Sequence, residues 1–174
     1  MNVELTSGDI KLRTWRESDL ESLVKYADNF NVWINLRDAF PHPYTMEDGR
    51  NWLRMAAAED KHVLLAIEFR DELVGGTGYM PKEDVYRISA EMGYWLAEPF
   101  WGRGIMTRVV GLLTDHIFNT CEGISRIYAD LFSSNQASAA VLKKNGFSLE
   151  AIHRKSVIKN GVILDEHRYV KFRS

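Results

Sequence analysis

The spacing of apolar residues along the chain changes period several times, and each change predicts a new element. Residues Asp9 to Trp15 alternate, with Ile10, Leu12 and Thr14 set against Lys11, Arg13 and Trp15, which is typical of a half-buried strand. Ser18 with Glu21 predicts the start of a helix that runs to about residue 29, because the two residues form a capping-box pattern. Thr45 with Asp48 predicts a second helix, to about residue 58, in the same way.

The pattern in the middle of the chain predicts three strands, then one long helix, then another strand. Residues 62 to 69 and 73 to 80 are apolar runs separated by three charged residues, which predicts a hairpin, and a third strand is expected over about 86 to 96. Residues 104 to 120 carry apolar positions at helical spacing, and 126 to 132 again suit a strand. A strand, a helix and a strand in this order predict a right-handed parallel crossover.

The last third predicts one more helix and a second hairpin. The helix should cover 135 to 145 and stop at Gly146, and strands over 147 to 158 and 162 to 172 flank Asn160 and Gly161, a strong turn signal. The predicted order is βααβββαβαββ, with about seven strands and four helices. No segment resembles a linker, so we expect a single domain over residues 1–174.

Composition narrows the class of protein. The chain has 174 residues, 45% hydrophobic and 26% charged, as ordinary globular proteins do. A net charge of −2 gives no reason to expect nucleic acid or an anionic membrane as a partner. Cys121 is the only cysteine, so no intrachain disulfide is expected. No metal is expected either, because ligand spacing with carboxylates or cysteine is lacking at His42, His62, His153 and His167. No apolar run reaches the length of a membrane span, and we expect a cytoplasmic protein.

The most informative local pattern is a glycine-bearing turn at the end of the strand predicted over 86 to 96. Gly102 and Gly104 stand where the chain should enter the long helix. The first N–H groups of a helix have no intrahelical partner and lie at the positive end of its dipole, so together they can hold a phosphate. The turn suggests a phosphorylated ligand; the alternative is an exposed helix entry that binds nothing.

Several motifs on these elements resemble the GNAT acyl-CoA N-acyltransferases, over nearly the whole chain. They are Ala90-Glu91-Met92-Gly93-Tyr94-Trp95-Leu96, Trp101-Gly102-Arg103-Gly104, Asn135…Ser138…Gly146-Phe147 and Pro43-Tyr44-Thr45. Within that superfamily they look like the RimJ/RimL branch, named for N-terminal acetylation of ribosomal proteins. The resemblance implies a mixed α/β (α+β) GNAT fold in which the fourth and fifth predicted strands are parallel and splay apart. It also implies acetyl-CoA as cofactor and an amine acceptor as partner, and homodimers are common in the family.

Two departures from the family pattern stand out. The family's phosphate turn is commonly Gln/Arg-x-x-Gly-x-Gly/Ala, whereas Trp101 holds the first position here and Met106 the last. Many relatives also place a tyrosine four residues before the helix-ending glycine, as the acid that protonates the leaving thiolate. Leu142 occupies that position, so the usual acid is missing.

The resemblance implies a set of residues that bind acetyl-CoA through the turn, the preceding strand and the next helix. They are Tyr94, Trp95, Leu96, Gly102, Arg103, Gly104, Ile105, Met106, Thr107 and Asn135. Backbone N–H groups near Tyr94 and Trp95 would polarise the thioester, and those of the turn would hold the phosphates. The Asn135 amide would contact the pantetheine arm; its alternative role is to cap the helix.

Two residues are candidates for proton transfer. Ser138 would replace the missing acid; the alternatives are a serine merely tolerated in a helix, with bulk water as the acid. Glu91 is the candidate base; the alternative is an exposed strand charge paired with Arg87 or Arg126.

The acceptor is expected between the loop over 32 to 44 and the last hairpin. The residues expected there are Trp33, Asn35, Arg37, Tyr44 and Glu166. For Trp33 and Phe40 the alternative is a structural role, in which the side chains pack in the core or support the site. The leading acceptor is a protein α-amine, because its pKa of about 7.7 to 8.0 leaves it partly neutral, unlike lysine near about 10.4. A small-molecule amine and a non-catalytic acyl-CoA-binding module are the alternatives.

Overall fold

The computed structural model describes residues 3–58 and 62–174, which form eight strands and five helices. The strands are β1 Glu4–Ser7, β2 Ile10–Thr14, β3 Val63–Phe69, β4 Glu72–Pro81, β5 Ser89–Leu96, β6 Arg126–Phe132, β7 Ser148–Lys159 and β8 Val162–Phe172. The helices are α1 Leu20–Ala27, α2 Phe30–Trp33, α3 Met46–Ala57, α4 Ile105–Thr120 and α5 Gln136–Lys144. None of the described helices is long and apolar enough to cross a membrane.

The strands form one mixed sheet in the order β1-β2-β3-β4-β5-β6-β8-β7. Strand β5 pairs with β6 in parallel, whereas β6 and β7 each pair with β8 antiparallel. The predicted mixed fold class is confirmed. The prediction missed β1 and α2, which have only four residues each, too few to show a period.

The chain folds into two compact units. The first unit is Met1–Gly78 with Tyr94–Ile105, and the second unit is Tyr79–Gly93 with Met106–Ser174. In the first unit an apolar core forms where α1 and α3 pack over the strands. Its buried members are Trp15, Leu23, Ala27, Tyr44, Leu53, Ala66 and Leu73. That the whole chain is one domain stays a prediction.

The two helix starts predicted from capping boxes have different outcomes. At α3 the prediction is confirmed: Asp48 N–H donates to Thr45 Oγ1 (3.2 Å), and Thr45 N–H donates to Asp48 Oδ2 (2.8 Å). At α1 it is wrong, because a 3₁₀ turn over Glu17–Asp19 precedes the helix. There Arg16 N–H donates to Asp19 Oδ2 (2.8 Å), so Asp19 closes the turn in place of Ser18.

Asp19 belongs to a buried ion cluster, which explains the different helix start. Arg13 Nη1 and Nη2 both donate to the Asp19 carboxylate at 2.8 Å, and Arg13 Nε donates to Glu68 Oε2 at 2.6 Å. All three side chains are buried. A buried charge must be paired to be tolerated, so the position of Asp19 is set by Arg13 on β2 more than by local capping preference.

The second unit contains the parallel crossover. Its register pairs Ser89 with Arg126, Ala90 with Ile127 and Glu91 with Tyr128. The strand predicted from about residue 86 begins only at Ser89, because residues 84 to 86 form a 3₁₀ turn. The second hairpin is confirmed, with Asn160 and Gly161 both at positive φ between β7 and β8.

Candidate active site

The turn in front of α4 is built on two glycines in a conformation that other residues rarely adopt. Gly102 and Gly104 both have φ of 72°, in the left-handed region that favours glycine. Both are exposed, and a Cβ atom at either one would meet nothing within 4 Å. The turn therefore presents bare backbone just ahead of the first, unpaired N–H groups of α4, an arrangement that suits an anion.

Trp101 and Met106, which both depart from the family's phosphate-turn pattern, have distinct places in this turn. The Trp101 Nε1 donates to the Leu96 carbonyl oxygen at 2.7 Å, while 43% of the residue stays exposed. The indole therefore ties the turn to the end of β5. Met106 is buried, as is Ile105, so only their backbone groups are available to a ligand at the helix start.

The other predicted residues of the turn differ in exposure. Arg103 is exposed and its guanidinium carbon lies 5.4 Å from the centre of the Phe100 ring. Thr107 is half-buried in the first turn of α4, and its carbonyl oxygen accepts a hydrogen bond from Asn145 Nδ2 at 3.0 Å. Asn145 Nδ2 also reaches the Val141 carbonyl (2.9 Å), so it joins α5 to the start of α4.

The end of β5 lies close to two glycines of β4. A Cβ atom at Gly75 would lie 2.3 Å from the Trp95 carbonyl oxygen, and one at Gly76 would lie 2.8 Å from Trp95 Nε1. Only glycine permits this approach. Tyr94 and Trp95 are half-buried and Leu96 is buried. The glycine pair inside a strand is a signal of close backbone approach that the sequence prediction did not use.

Glu91 has different partners from those expected. Its Oε2 accepts from Lys82 Nζ at 2.6 Å and from the Tyr128 hydroxyl at 3.4 Å. The side chain is 17% exposed, so the alternative of an exposed strand charge is wrong. Its predicted partners pair elsewhere in the structure.

Of those two predicted partners, Arg87 donates to the Asp84 carbonyl (2.9 Å) and Arg126 pairs with Glu150. Lys82 follows a proline at the end of β4, and nothing in its sequence context indicates a contact with Glu91. Burial opposes the charge on Lys82, but its hydrogen bonds to Glu91 and Tyr128 outweigh burial and raise the pKa of Lys82.

Asn135 and Ser138 contact each other at the start of α5. Asn135 Oδ1 accepts from the Ser138 backbone N–H at 3.1 Å, which is the helix-capping role given above as the alternative. Both side chains are half-buried. Leu142 is fully buried, so its position contributes to the core of the second unit. The pantetheine contact of Asn135 and the acid role of Ser138 stay predictions.

Four of the predicted acceptor residues lie in the first unit. The Trp33 ring stacks on His42 with centroids 5.5 Å apart, Asn35 Nδ2 donates to the Asn31 carbonyl (2.9 Å), and Arg37 is exposed. Tyr44 is buried, and burial together with nearby Asp48 raises its pKa to about 12.

The fifth, Glu166, lies in the second unit and faces His153, with Oε1 3.3 Å from Nδ1. Contact of all five residues with an acceptor stays a prediction. Among the residues that the structure describes, no group of three or more His, Cys, Asp or Glu could hold a metal ion.

The family follows from a direct comparison of the sequence. The model of the acetyltransferase (GNAT) domain matches residues 9–148. The chain belongs to the GNAT acetyltransferase family. The predicted family, and with it the acetyltransferase class, is confirmed.

Relatives of this GNAT chain include an acetyltransferase named for a ribosomal protein. The chain is 30% identical over 169 residues to the ribosomal-protein-serine acetyltransferase of Escherichia coli K12, covering 95% of this chain and 93% of that one. It is 33% identical to the uncharacterized N-acetyltransferase YoaA of Bacillus subtilis 168, but that match spans 64% of this chain and 63% of YoaA, just under two thirds.

The fold is similar to that of RimL, a ribosomal L7/L12 alpha-N-protein acetyltransferase solved in complex with coenzyme A. The TM-score is 0.86 with 25% sequence identity, over 98% of each chain.

Proposed function

We propose that this protein transfers the acetyl group of acetyl-CoA to the α-amine of a protein N-terminus, by direct attack of the amine in a ternary complex. The observation that carries the proposal is the match over 93% of the length of the E. coli ribosomal-protein-serine acetyltransferase. The similar RimL structure, in complex with coenzyme A, supports the cofactor.

The turn before α4 fits the pyrophosphate of acetyl-CoA. Gly102 and Gly104 keep bare backbone in front of unpaired N–H groups, and the exposed Arg103 adds a positive charge. Ile105 and Met106 would contribute backbone N–H groups only, since their side chains are buried. Tyr94 and Trp95 would offer backbone N–H groups to the acetyl carbonyl, and Asn135 its amide to the pantetheine arm. Acetyl-CoA supplies an activated acetyl thioester when bound.

Two side chains would handle the protons. The amine nitrogen attacks the acetyl carbon, a C–N bond forms, the C–S bond breaks, and its electron pair leaves on sulfur. Glu91 would take the proton that the nitrogen loses, and Ser138 would give a proton to the sulfur and regain one from solvent. Water can replace Ser138 as the acid. The conjugate thiol has a pKa of about 8.5, so the thiolate is a good leaving group and solvent can protonate it.

The class of acceptor amine is proposed from how little help its deprotonation needs. An α-amine is already partly neutral near pH 7.5, so it needs little help from a base, whereas a lysine amine is almost fully protonated. This consideration favours a peptide N-terminus, in agreement with the relatives' substrates.

Thiol release from acetyl-CoA across a panel of acceptors tests the proposal. A peptide with a free N-terminal serine should release CoA, while the same peptide with a blocked N-terminus and the polyamine spermidine should release little. Faster release with spermidine would instead identify a small-molecule acetyltransferase. A rise in melting temperature with acetyl-CoA, but no release with any acceptor, would identify a binding module and overturn the proposal.

A further inference from the structure

Lys82 and Tyr128 converge on one oxygen of Glu91. Lys82 Nζ donates to Oε2 at 2.6 Å, and the Tyr128 hydroxyl donates to the same oxygen at 3.4 Å. Lys82 directly follows β4, Glu91 lies on β5 and Tyr128 on β6, three neighbouring strands of the sheet. All three residues belong to the second unit. The carboxylate is therefore held from both sides of its own strand.

Tyr128 is itself fixed by a ring of charged groups. Its side chain is buried, and the guanidinium carbons of Arg168 and Arg126 lie 4.3 and 5.0 Å from the centre of its ring. Arg168 is held by Asp130 through two hydrogen bonds of 2.8 and 2.7 Å, and Arg126 is held by Glu150. A buried phenol in contact with two paired arginines is held in one orientation.

The charge balance around Glu91 favours its ionised form. The charged and titratable groups of this cluster, besides Glu91, are Lys82, Arg126, Tyr128, Asp130, Glu150 and Arg168. Arg126 and Arg168 each have their own carboxylate partner, and Lys82 is a cation in direct contact with Glu91. A cation at this distance stabilises the carboxylate over the carboxylic acid.

We infer that Lys82 and Tyr128 are positioning residues that hold Glu91 as a fixed, ionised proton acceptor, and that this arrangement restricts acetyl transfer to amines that arrive largely neutral. The inference rests on the proposed function, since it requires Glu91 to receive the proton of the attacking amine. A carboxylate stabilised by a cation is a poor base for a lysine ammonium. It can still accept the proton that a neutral amine loses as the C–N bond forms.

The size of the resulting preference follows from the ordinary pKa values of the two amine classes. At pH 7.5 about one third of an α-amine of pKa about 7.8 is neutral, against about 0.1% of a lysine amine of pKa about 10.4. The enzyme should therefore prefer an α-amine by about 100-fold or more in kcat/KM at this pH. The preference should shrink as pH rises toward 10.

The pH dependence of kcat/KM tests the role of Lys82. With a peptide bearing a free α-amine, Lys82→Met should lose about 2- to 3-fold more rate than the natural sequence between pH 8.5 and pH 5, because Glu91 takes up a proton more readily without the cation. Lys82→Arg should restore the natural profile. Tyr128→Phe should lower kcat about 3-fold or more and leave the KM for acetyl-CoA unchanged. It also serves as the second test if Lys82→Met does not fold.

The outcomes separate this inference from the proposed function. If the natural protein acetylates the peptide but the profiles of Lys82→Met and Lys82→Arg coincide with its own, or Tyr128→Phe keeps full kcat, the inference is overturned and the proposed function stands. Loss of rate in Glu91→Gln, with the acetyl-CoA affinity kept, supports Glu91 as proton acceptor. If the natural protein acetylates no amine, the proposed function is overturned and this inference with it.

Discussion

Single residues in the turn before α4 determine whether an anion can approach the N-terminus of this helix. Gly102 and Gly104 hold φ values of 72°, where a Cβ atom costs about 1 to 2 kcal/mol. Trp101 holds the same turn from its other end through the Leu96 carbonyl. The turn is thus fixed by backbone conformation and one indole hydrogen bond.

Replacing Gly104 should weaken cofactor binding without unfolding the protein. Gly104→Ala places a Cβ in the left-handed region, which favours other turn conformations in the free protein. We expect the dissociation constant for acetyl-CoA to rise about 5- to 30-fold, because the ligand must then restore a conformation that costs about 1 to 2 kcal/mol. Isothermal titration calorimetry measures this directly. Gly123→Ala is the matched control, since Gly123 is exposed with nothing within 4 Å of an added Cβ. An equal affinity in both variants would contradict the assigned role of the turn.

Asp19 should matter far more to stability than Ser18. Asp19→Ala removes the two hydrogen bonds that the buried Arg13 donates to Asp19 and leaves Glu68 as its carboxylate partner, so we expect a loss of about 3 kcal/mol in the free energy of unfolding. Ser18→Ala should cost less than about 0.5 kcal/mol, because Ser18 does not cap α1. Urea denaturation compares the two variants. A comparable loss in both would restore the capping box predicted from the sequence.

Glu68 in the same cluster makes stability depend on pH. Burial alone would raise its pKa, but Arg13 outweighs burial and the pKa of Glu68 is lowered. Its contribution is therefore fully present above the unfolded value of about 4.3 and is lost as pH falls below it. Urea denaturation between pH 6 and 3 should show a smaller loss for Glu68→Gln than for the natural sequence. Parallel losses would contradict this assignment.

At the scale of elements, α4 and α5 are joined by Asn145. Its Nδ2 donates to Thr107 on α4 and Val141 on α5, and a Cβ atom at Gly111 would lie 2.9 Å from its Oδ1. The contact explains a glycine in the middle of a 16-residue helix, where glycine costs about 1 kcal/mol relative to alanine. It also sets the position of the first turn of α4.

The contact between Gly111 and Asn145 can be measured by a double-mutant cycle. Gly111→Ala alone should fail to gain the usual stability of alanine in a helix, because the new methyl group displaces Asn145. In the Asn145→Ala background the same change should stabilise the protein by about 0.5 to 1 kcal/mol. Thermal denaturation gives both values. The same effect of Gly111→Ala in both backgrounds would show that the two residues are not coupled.

The sequence predicted correctly those features that are stabilised by residues close together in the chain. The capping box at Thr45 and the turn at Asn160-Gly161 contain all the atoms that stabilise them, and the structure has both. The start of α1 and the partner of Glu91 depend on Arg13 and Lys82, which lie on other elements. Short-range patterns carry no information about such distant partners, so those two details could be found only in the structure.

At the scale of the whole molecule, the order of elements and the motifs that they carry predicted the family that the sequence comparison shows. The mixed eight-stranded sheet and the match to residues 9–148 agree with that order. The chemistry is more particular to this chain, because Leu142 replaces the family's acid and Lys82 pairs with the candidate base. In the proposed function, the pairing of Lys82 with Glu91 favours an acceptor amine that arrives largely neutral.

One competition experiment tests the central claim most directly. A peptide with both a free N-terminal serine and an internal lysine is incubated with the protein and acetyl-CoA at pH 7.5, and tandem mass spectrometry locates the acetyl group. The account predicts a single acetyl group on the N-terminal α-amine, with acetylation of the lysine about 100-fold slower or less. Acetylation mainly on the lysine, or none on the peptide while a small amine is acetylated, would contradict it.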